Sequence, residues 1–150
     1  MNRGFTKFIL SACGFGLIPF ARGTWGSAVG LLGVWLLHPW PIGEYLVFFL
    51  LWITTVSLLN QYLPQTLDRD PQWVVMDEVL GIFVTFFALP LSWKTAAAGF
   101  ILFRFFDIMK PLGIRRIERM YGAWGIILDD VAAGLLAHAV LALLLVFWRP

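Results

Sequence analysis

The chain has 150 residues, of which 60% are apolar and only 13% are charged, and its mean hydropathy is +0.82. Soluble proteins contain about 45–50% apolar and about 25% charged residues, so this composition excludes an ordinary cytosolic enzyme and a disordered tail. A single cysteine, Cys13, excludes a disulfide scaffold. We expect one domain over residues 1–150, and because so small a core cannot bury this much apolar surface, much of it must contact a lipid bilayer. No basic run alternates with aromatic residues, so we expect no nucleic-acid partner.

Five apolar segments, separated by charged and turn-forming residues, predict an all-α membrane bundle with about four to five short spans. In chain order they are Trp25–Leu37, Tyr45–Leu59, Val79–Leu91, Ala96–Met109 and Val131–Trp148. Two prolines separate the first two segments, since proline does not continue a helix. The first segment is short, and whether it spans fully or is re-entrant stays open at this point.

The basic residues predict the orientation of these segments. If all five segments cross, nine of the eleven Lys and Arg residues fall on one side, and only Lys94 and Arg149 fall on the other. The nine are Arg3, Lys7, Arg22, Arg69, Arg104, Lys110, Arg115, Arg116 and Arg119. Because cytoplasmic loops are enriched in Lys and Arg, the side with nine is expected to be cytoplasmic.

Five acids are predicted to lie at one membrane depth on that cytoplasmic side. Asp77 and Glu78 open the third segment, Asp107 closes the fourth, and Asp129 and Asp130 open the fifth. Ionisable groups beside long apolar runs are costly and by default mark a functional site. Several carboxylates in one place need positive charge among them, either basic side chains or a cation, and oxygen ligands suit Mg²⁺, which also binds substrate phosphate oxygens. The pattern therefore indicates phosphate chemistry.

Two further features predict groups that hold a phosphate. On a helix, Arg104, Asp107 and Lys110 share a face, and two bases beside an acid can bind phosphate oxygens. A glycine-bearing turn before the first segment contains Thr24 and Ser27, whose hydroxyls and neighbouring backbone N–H groups can receive an anion. The remaining acids are interpreted as surface residues, namely Glu44, Asp68, Asp70 and Glu118.

Four motifs resemble those of the phosphatidylglycerophosphatase A family. They are GTWGS (23–27), VVMDEVLG (74–81), FRFFDIMKP (103–111) and GAWGIILDDVAAG (122–134). Their order and spacing match over nearly the whole chain. The family usually has proline where this chain has Arg22, and it has Trp-Pro where this chain has Leu112 and Gly113.

The resemblance implies an integral membrane enzyme of the bacterial inner membrane that removes the terminal phosphate of phosphatidylglycerophosphate, giving phosphatidylglycerol, and that depends on Mg²⁺. It implies metal ligands at Asp77, Glu78, Asp107, Asp129 and Asp130, all except Glu78 also being catalytic. It further implies phosphate-binding groups at Thr24, Ser27, Arg104 and Lys110.

The predicted chemistry is metal-assisted hydrolysis of a phosphate monoester, with one carboxylate as general base. A covalent aspartyl phosphate on Asp107 or Asp129 stays open as an alternative, as do the metal count and the oligomeric state. Two other classes of function also stay open. One is a small transporter that binds a permeating cation, and the other is a non-catalytic membrane subunit whose acids form helix caps and ion pairs.

Overall fold

The computed structural model describes residues 3–66, 68 and 70–147, and within these residues the protein is all-helical, as the sequence predicts. The helices are α1 (Arg3–Leu10), α2 (Arg22–Leu37), α3 (Pro41–Tyr62), α4 (Met76–Phe86), α5 (Trp93–Met109), α6 (Ile114–Ile117) and α7 (Ala123–Phe147). Two short 3-10 helices cover Phe15–Leu17 and Leu63–Gln65.

Two parts of the described chain are long and apolar enough to cross a membrane. They are Pro41–Gln65, which comprises α3 and the 3-10 helix after it, and α7. A bilayer core about 30 Å thick needs about 20 helical residues, whereas α2 has 16, α4 has 11 and α5 has 17. A membrane location is therefore compatible with the fold, but the predicted count of four to five spans is not confirmed.

The helix bounds differ most from the predicted segments at α7. The sequence predicts a start at Val131, but α7 begins at Ala123, so Asp129 and Asp130 lie inside the helix and do not open it. The predicted end, Trp148, lies outside the described residues. Elsewhere α4 ends at Phe86, before the predicted Leu91, and α3 already begins at Pro41, because proline fits the first turn of a helix.

Helix α4 is the centre of the bundle, since ten of its eleven residues are buried, and it packs mainly against α7 and α2. The backbones of α4 and α7 cross closely at Gly81 and Gly134. A Cβ atom on Gly134 would clash with the carbonyl oxygen of Gly81, so no larger residue fits this crossing without a backbone shift. Asp77 and Asp130 each precede their glycine by one helical turn, and the crossing therefore brings these two acids together.

The helices alternate in direction, so their ends gather at two opposite ends of the bundle. The first residues of α2, α4 and α7 line a common cavity together with the last residues of α3 and α5. At the opposite end the α2–α3 and α4–α5 connections meet, where the ring centroids of Tyr45 and Phe87 are 4.8 Å apart. Five consecutive segments that each cross a membrane would alternate in direction in this way. Two bases used in the orientation argument, Arg69 and Arg149, lie outside the described residues.

Large apolar side chains are exposed along the outer faces of the long helices, as the composition predicts. They include Leu32 and Leu36 of α2, Leu46, Phe49 and Ile53 of α3, Ile101 and Ile108 of α5, and Leu135 and Leu143 of α7. An exposed apolar surface of this extent is typical of a surface that contacts lipid or another protein.

Candidate active site

The cavity at the charged end of the bundle has a volume of about 1190 Å³ and gathers almost all the acids of the chain. Eight of the nine acids line it: Asp68, Asp70, Asp77, Glu78, Asp107, Glu118, Asp129 and Asp130. Of the bases in the described residues, four line it: Arg22, Arg104, Lys110 and Arg119. Among the described residues, the acids that line this cavity therefore outnumber the bases by two to one.

Three of these acids form a tight group, called here the three-acid cluster: Asp77, Glu78 and Asp130. One oxygen from each lies within 4.8 Å of the others, and both aspartates are buried. Asp77 Oδ1 and Glu78 Oε2 are buried and have no hydrogen-bond partner within the described part of the chain. Buried oxygens are normally satisfied, and three carboxylates at this distance repel one another. A divalent cation bound by these oxygens would give the unpaired atoms a partner and would offset the repulsion between the carboxylates.

The other two predicted metal ligands, Asp107 and Asp129, lie outside this cluster and each accepts from a base. Arg104 Nη1 donates to Asp107 Oδ2 at 2.5 Å, and Lys110 Nζ donates to Asp129 Oδ2 at 2.7 Å. The second oxygen of Asp129 accepts from the backbone N–H of Asp130 at 3.0 Å. Within the described residues, the five acids predicted as one ligand set thus divide into two that form an ion pair with a base and three that form none.

Arg104 is held from two sides. Besides its ion pair, its Nη1 donates to Ser27 Oγ at 3.4 Å, and Ser27 Oγ donates to the carbonyl oxygen of Gly23 at 2.7 Å. Ser27 is buried and supports Arg104, whereas Thr24 is exposed and neither residue lines the cavity. A Cβ on Gly23 would clash with Glu78 Oε1 and approach Arg104 Nη1 to 2.8 Å, so glycine is what allows α2 to lie this close to the site.

The predicted turn over residues 23–27 is in fact helical, because α2 already begins at Arg22. The first turn of α2 nevertheless reaches the cavity through Arg22 and Gly23, and Ala21, the residue before the helix, lines it as well. The N-terminus of α2, whose first N–H groups favour anions, therefore lies at the cavity, whereas the hydroxyls of Thr24 and Ser27 do not line it.

Lys110 does not share a helical face with Arg104, contrary to the prediction. Helix α5 ends at Met109, and Lys110 follows with φ 45°, in the left-handed region, so its side chain leaves the face of the helix. Its Nζ donates to Asp129 at 2.7 Å and to Glu118 at 2.8 Å. Burial alone would lower the pKa of Lys110, but these two carboxylates raise it above its ordinary value. Lys110 is therefore a permanent positive charge that ties the end of α5 to α7.

Sequence reasoning assigns Asp70 and Glu118 to the surface, and both are indeed exposed, but both also line the cavity. Removal of water around the Asp70 carboxyl raises its pKa, Lys110 opposes the rise, and Glu118 and Asp68 add to it. No signal in the sequence places these connecting segments over the site. Glu44, the ninth acid, is buried at the other end of the bundle with its Oε2 3.9 Å from His38 Nδ1, so it is not a surface acid.

Comparison with known proteins identifies the family of this chain. The family model described as phosphatidylglycerophosphatase A matches residues 8–145. The chain belongs to the phosphatidylglycerophosphatase A family. This membership confirms both the family that the motifs predict and the enzyme class, a phosphatase.

Three relatives are similar in sequence to this chain over most of their length. The chain is 44% identical over 141 residues to the phosphatidylglycerophosphatase A of Haemophilus influenzae, which covers 87% of this chain and 84% of that protein. It is 36% identical to the phosphatidylglycerophosphatase A of Escherichia coli, over 88% of this chain and 80% of that protein. It is also 34% identical, over 86% of each chain, to a Bacteroides thetaiotaomicron protein described as a putative phosphatidylinositol-3-phosphatase. No solved structure matches the chain significantly.

Proposed function

We propose that this protein removes the terminal phosphate of phosphatidylglycerophosphate, giving phosphatidylglycerol, at the cytoplasmic face of a bacterial inner membrane. The observation that carries the proposal is the three-acid cluster beside Arg104, in a cavity at one end of an apolar helical bundle. A lipid can leave its acyl chains among the exposed apolar side chains while its charged head group enters this cavity. The names of the Haemophilus influenzae and Escherichia coli relatives support this choice of substrate.

The three-acid cluster fits Mg²⁺ as the cofactor. All its ligands are oxygens, two of them lack any other partner within the described residues, and α4 and α7 hold them rigidly together. Bound there, Mg²⁺ would neutralise phosphate charge and lower the pKa of a water molecule. Asp107 and Asp129, which the sequence also suggests as ligands, instead hold Arg104 and Lys110 in ion pairs.

Each remaining side chain has a role that follows from its contacts. Asp107 and Ser27 orient Arg104, whose other guanidinium N–H groups bind phosphate oxygens as charge builds up during transfer. Lys110, fixed by Asp129, adds positive charge to the same cavity. Asp107 is the better candidate for general base, because both oxygens of Asp129 already accept hydrogen bonds. For the same reason, Asp107 is the better nucleophile in the covalent alternative.

The test is release of free phosphate from phosphatidylglycerophosphate by the purified protein in detergent, with and without Mg²⁺. We expect Mg²⁺-dependent turnover in the wild-type protein and none after Asp77→Asn. Asp68→Asn, the same chemical change at an exposed acid of the cavity rim, is the control and should stay within about twofold of wild type. Unchanged activity in Asp77→Asn would remove the site assignment.

A second substrate belongs in the same assay because of the third relative. Phosphatidylinositol 3-phosphate also presents a phosphate monoester on a lipid head group, and turnover of that lipid alone would redirect the proposal to a different substrate. A transporter or a non-catalytic subunit would release phosphate from neither lipid.

A further inference from the structure

Arg22 is a positioned cation at the cavity, and no acid of the described residues forms an ion pair with it. Its Nη1 donates to Gln72 Oε1 at 3.0 Å, and its Nε donates to the carbonyl oxygen of Ile18 at 3.3 Å. These two bonds fix the plane of the guanidinium group. An arginine has five N–H donors, so several remain for a ligand.

The absence of an acid partner separates Arg22 from the two bases of the inner site. Arg104 and Lys110 each form an ion pair, whereas Arg22 forms none within residues 3–66, 68 and 70–147. Arg119 also lines the cavity without an ion pair, but no hydrogen bond within that part of the chain fixes its side chain. In a cavity where acids outnumber bases, a fixed and unpaired guanidinium is available to an anionic ligand.

Arg22 and the three-acid cluster line the same cavity, so one ligand with two phosphates can reach both. The next residue, Gly23, lies against both Glu78 and Arg104, and consecutive Cα atoms are only about 3.8 Å apart. The proposed substrate carries a terminal phosphate monoester and, one glycerol unit away, a phosphodiester. The monoester belongs with the cluster and Arg104, which leaves the diester to meet the outer cation.

We propose that Arg22, held by Gln72, forms a second anion subsite that binds the phosphodiester of the lipid substrate and so selects lipids that carry two phosphates. This inference rests on the proposed function. Arg22 stands where the family motif usually has proline, so the usual motif does not supply this cation.

A diester contact has a specific kinetic signature. The diester is present in substrate, transition state and product alike, so the contact strengthens binding uniformly and changes KM without changing kcat. Arg22→Gln should therefore raise KM for phosphatidylglycerophosphate about tenfold, equivalent to about 1.4 kcal/mol, with kcat within about twofold. The inhibition constant of phosphatidylglycerol, which keeps only the diester, should rise by the same factor. The inhibition constant of inorganic phosphate should not change.

The assay uses micelles of an uncharged detergent, so that attraction of the protein to an anionic surface does not contribute. Arg116→Gln is the matched control, because it removes an equal charge from an exposed residue that does not line the cavity, and its KM should match wild type. Arg22→Lys keeps the charge but not the two fixing bonds, and it should give an intermediate KM even if Arg22→Gln folds poorly.

Three results would overturn the subsite. The first is an unchanged KM in both Arg22 variants, and the second is an equal rise of KM in Arg116→Gln. The third is weaker inhibition of Arg22→Gln by inorganic phosphate, because that result would place Arg22 on the terminal phosphate. Turnover by the wild-type protein with an unchanged KM in the variants rejects this inference alone. No turnover by the wild-type protein rejects the proposed function as well.

Discussion

Removing one negative charge from the three-acid cluster should stabilise the metal-free protein and abolish its stabilisation by Mg²⁺. Asp130→Asn is the most conservative such change, because asparagine has nearly the same shape as aspartate. The backbone N–H of residue 130, which donates to Asp129 Oδ1 at 3.0 Å, is unaffected. The variant therefore isolates the charge from the packing of α7.

The magnitude follows from the spacing of the carboxylates. Two unit charges 4.8 Å apart repel by about 3.5 kcal/mol at an effective dielectric constant of about 20, and Asp130 takes part in two such pairs. The stability gained by removing the charge is smaller than the sum of the two repulsion energies. A carboxyl can lose its charge by taking up a proton, which costs about 4 kcal/mol at pH 7, so the repulsion cannot destabilise the protein by more than this ceiling. A relief of about 2 kcal/mol, half of that ceiling, would raise Tm by about 4–8 °C in a domain of this size.

The assay is thermal unfolding in detergent at pH 7, in EDTA and again in millimolar Mg²⁺. The wild-type protein should gain stability from Mg²⁺, whereas Asp130→Asn should start higher in EDTA and gain little. Asp68→Asn, at an exposed rim acid outside the cluster, should behave as wild type under both conditions. A lower Tm for Asp130→Asn in EDTA, or an undiminished response to Mg²⁺, would refute the reasoning that the cluster is held together against its own repulsion.

Three further predictions concern the surroundings of the cluster. Lys110→Met leaves Asp129, whose side chain is 7% exposed, without its base. In denaturant titrations it should lower the free energy of unfolding by about 3–5 kcal/mol, because a buried charge is then unpaired. A second change, Asp129→Asn, removes that charge and should restore much of the lost stability. Gly134→Ala should lower the free energy of unfolding by about 1–3 kcal/mol and reduce phosphate release, because the new Cβ meets a carbonyl oxygen of α4. Gly33→Ala, whose Cβ meets only ring atoms at 3.3 Å and no backbone, is its helical control and should cost clearly less than Gly134→Ala. Because the folded-state pKa of Asp70 is raised, its charge destabilises the fold above that pKa, and the penalty disappears below the ordinary value of 3.8. Asp70→Asn should therefore raise Tm in EDTA at pH 7 and leave it unchanged at about pH 3.5.

The sequence predicts the helical class and the common location of the acids, because both depend on patterns that can be recognised without knowledge of tertiary contacts. Hydropathy identifies the apolar segments, and alternating direction then brings Asp77, Asp107 and Asp129 to one end. The predicted start of α7 is wrong for a physical reason. Two adjacent acids interrupt the hydropathy signal before Val131, yet carboxylates do not break a helix, and Lys110 neutralises the charge of Asp129.

The division of the five acids could not be predicted, because it depends on which base reaches which acid. Arg104 and Asp107 are three residues apart on one helix, so their pairing is local and could be anticipated. Lys110 and Asp129 are nineteen residues apart, and their contact exists only because α5 ends one residue before Lys110. Within the described residues no base forms an ion pair with the three-acid cluster, which is likewise a tertiary fact, and this observation separates the proposed metal ligands from the ion-pair partners.

The crossing of α4 and α7 couples the fold of this protein to its chemistry. In a bilayer the hydrophobic effect does not hold helices together, since lipid is as apolar as leucine, and close van der Waals packing of small residues takes its place. Gly81 and Gly134 provide that packing one turn from the three-acid cluster, where repulsion acts to separate the same two helices. Asp77 and Glu78 come from α4 and Asp130 from α7, so a cation bound among them joins the two helices directly. Binding of the proposed Mg²⁺ would therefore be coupled to the association of α4 with α7, and we expect a change that loosens the glycine crossing to weaken that binding as well.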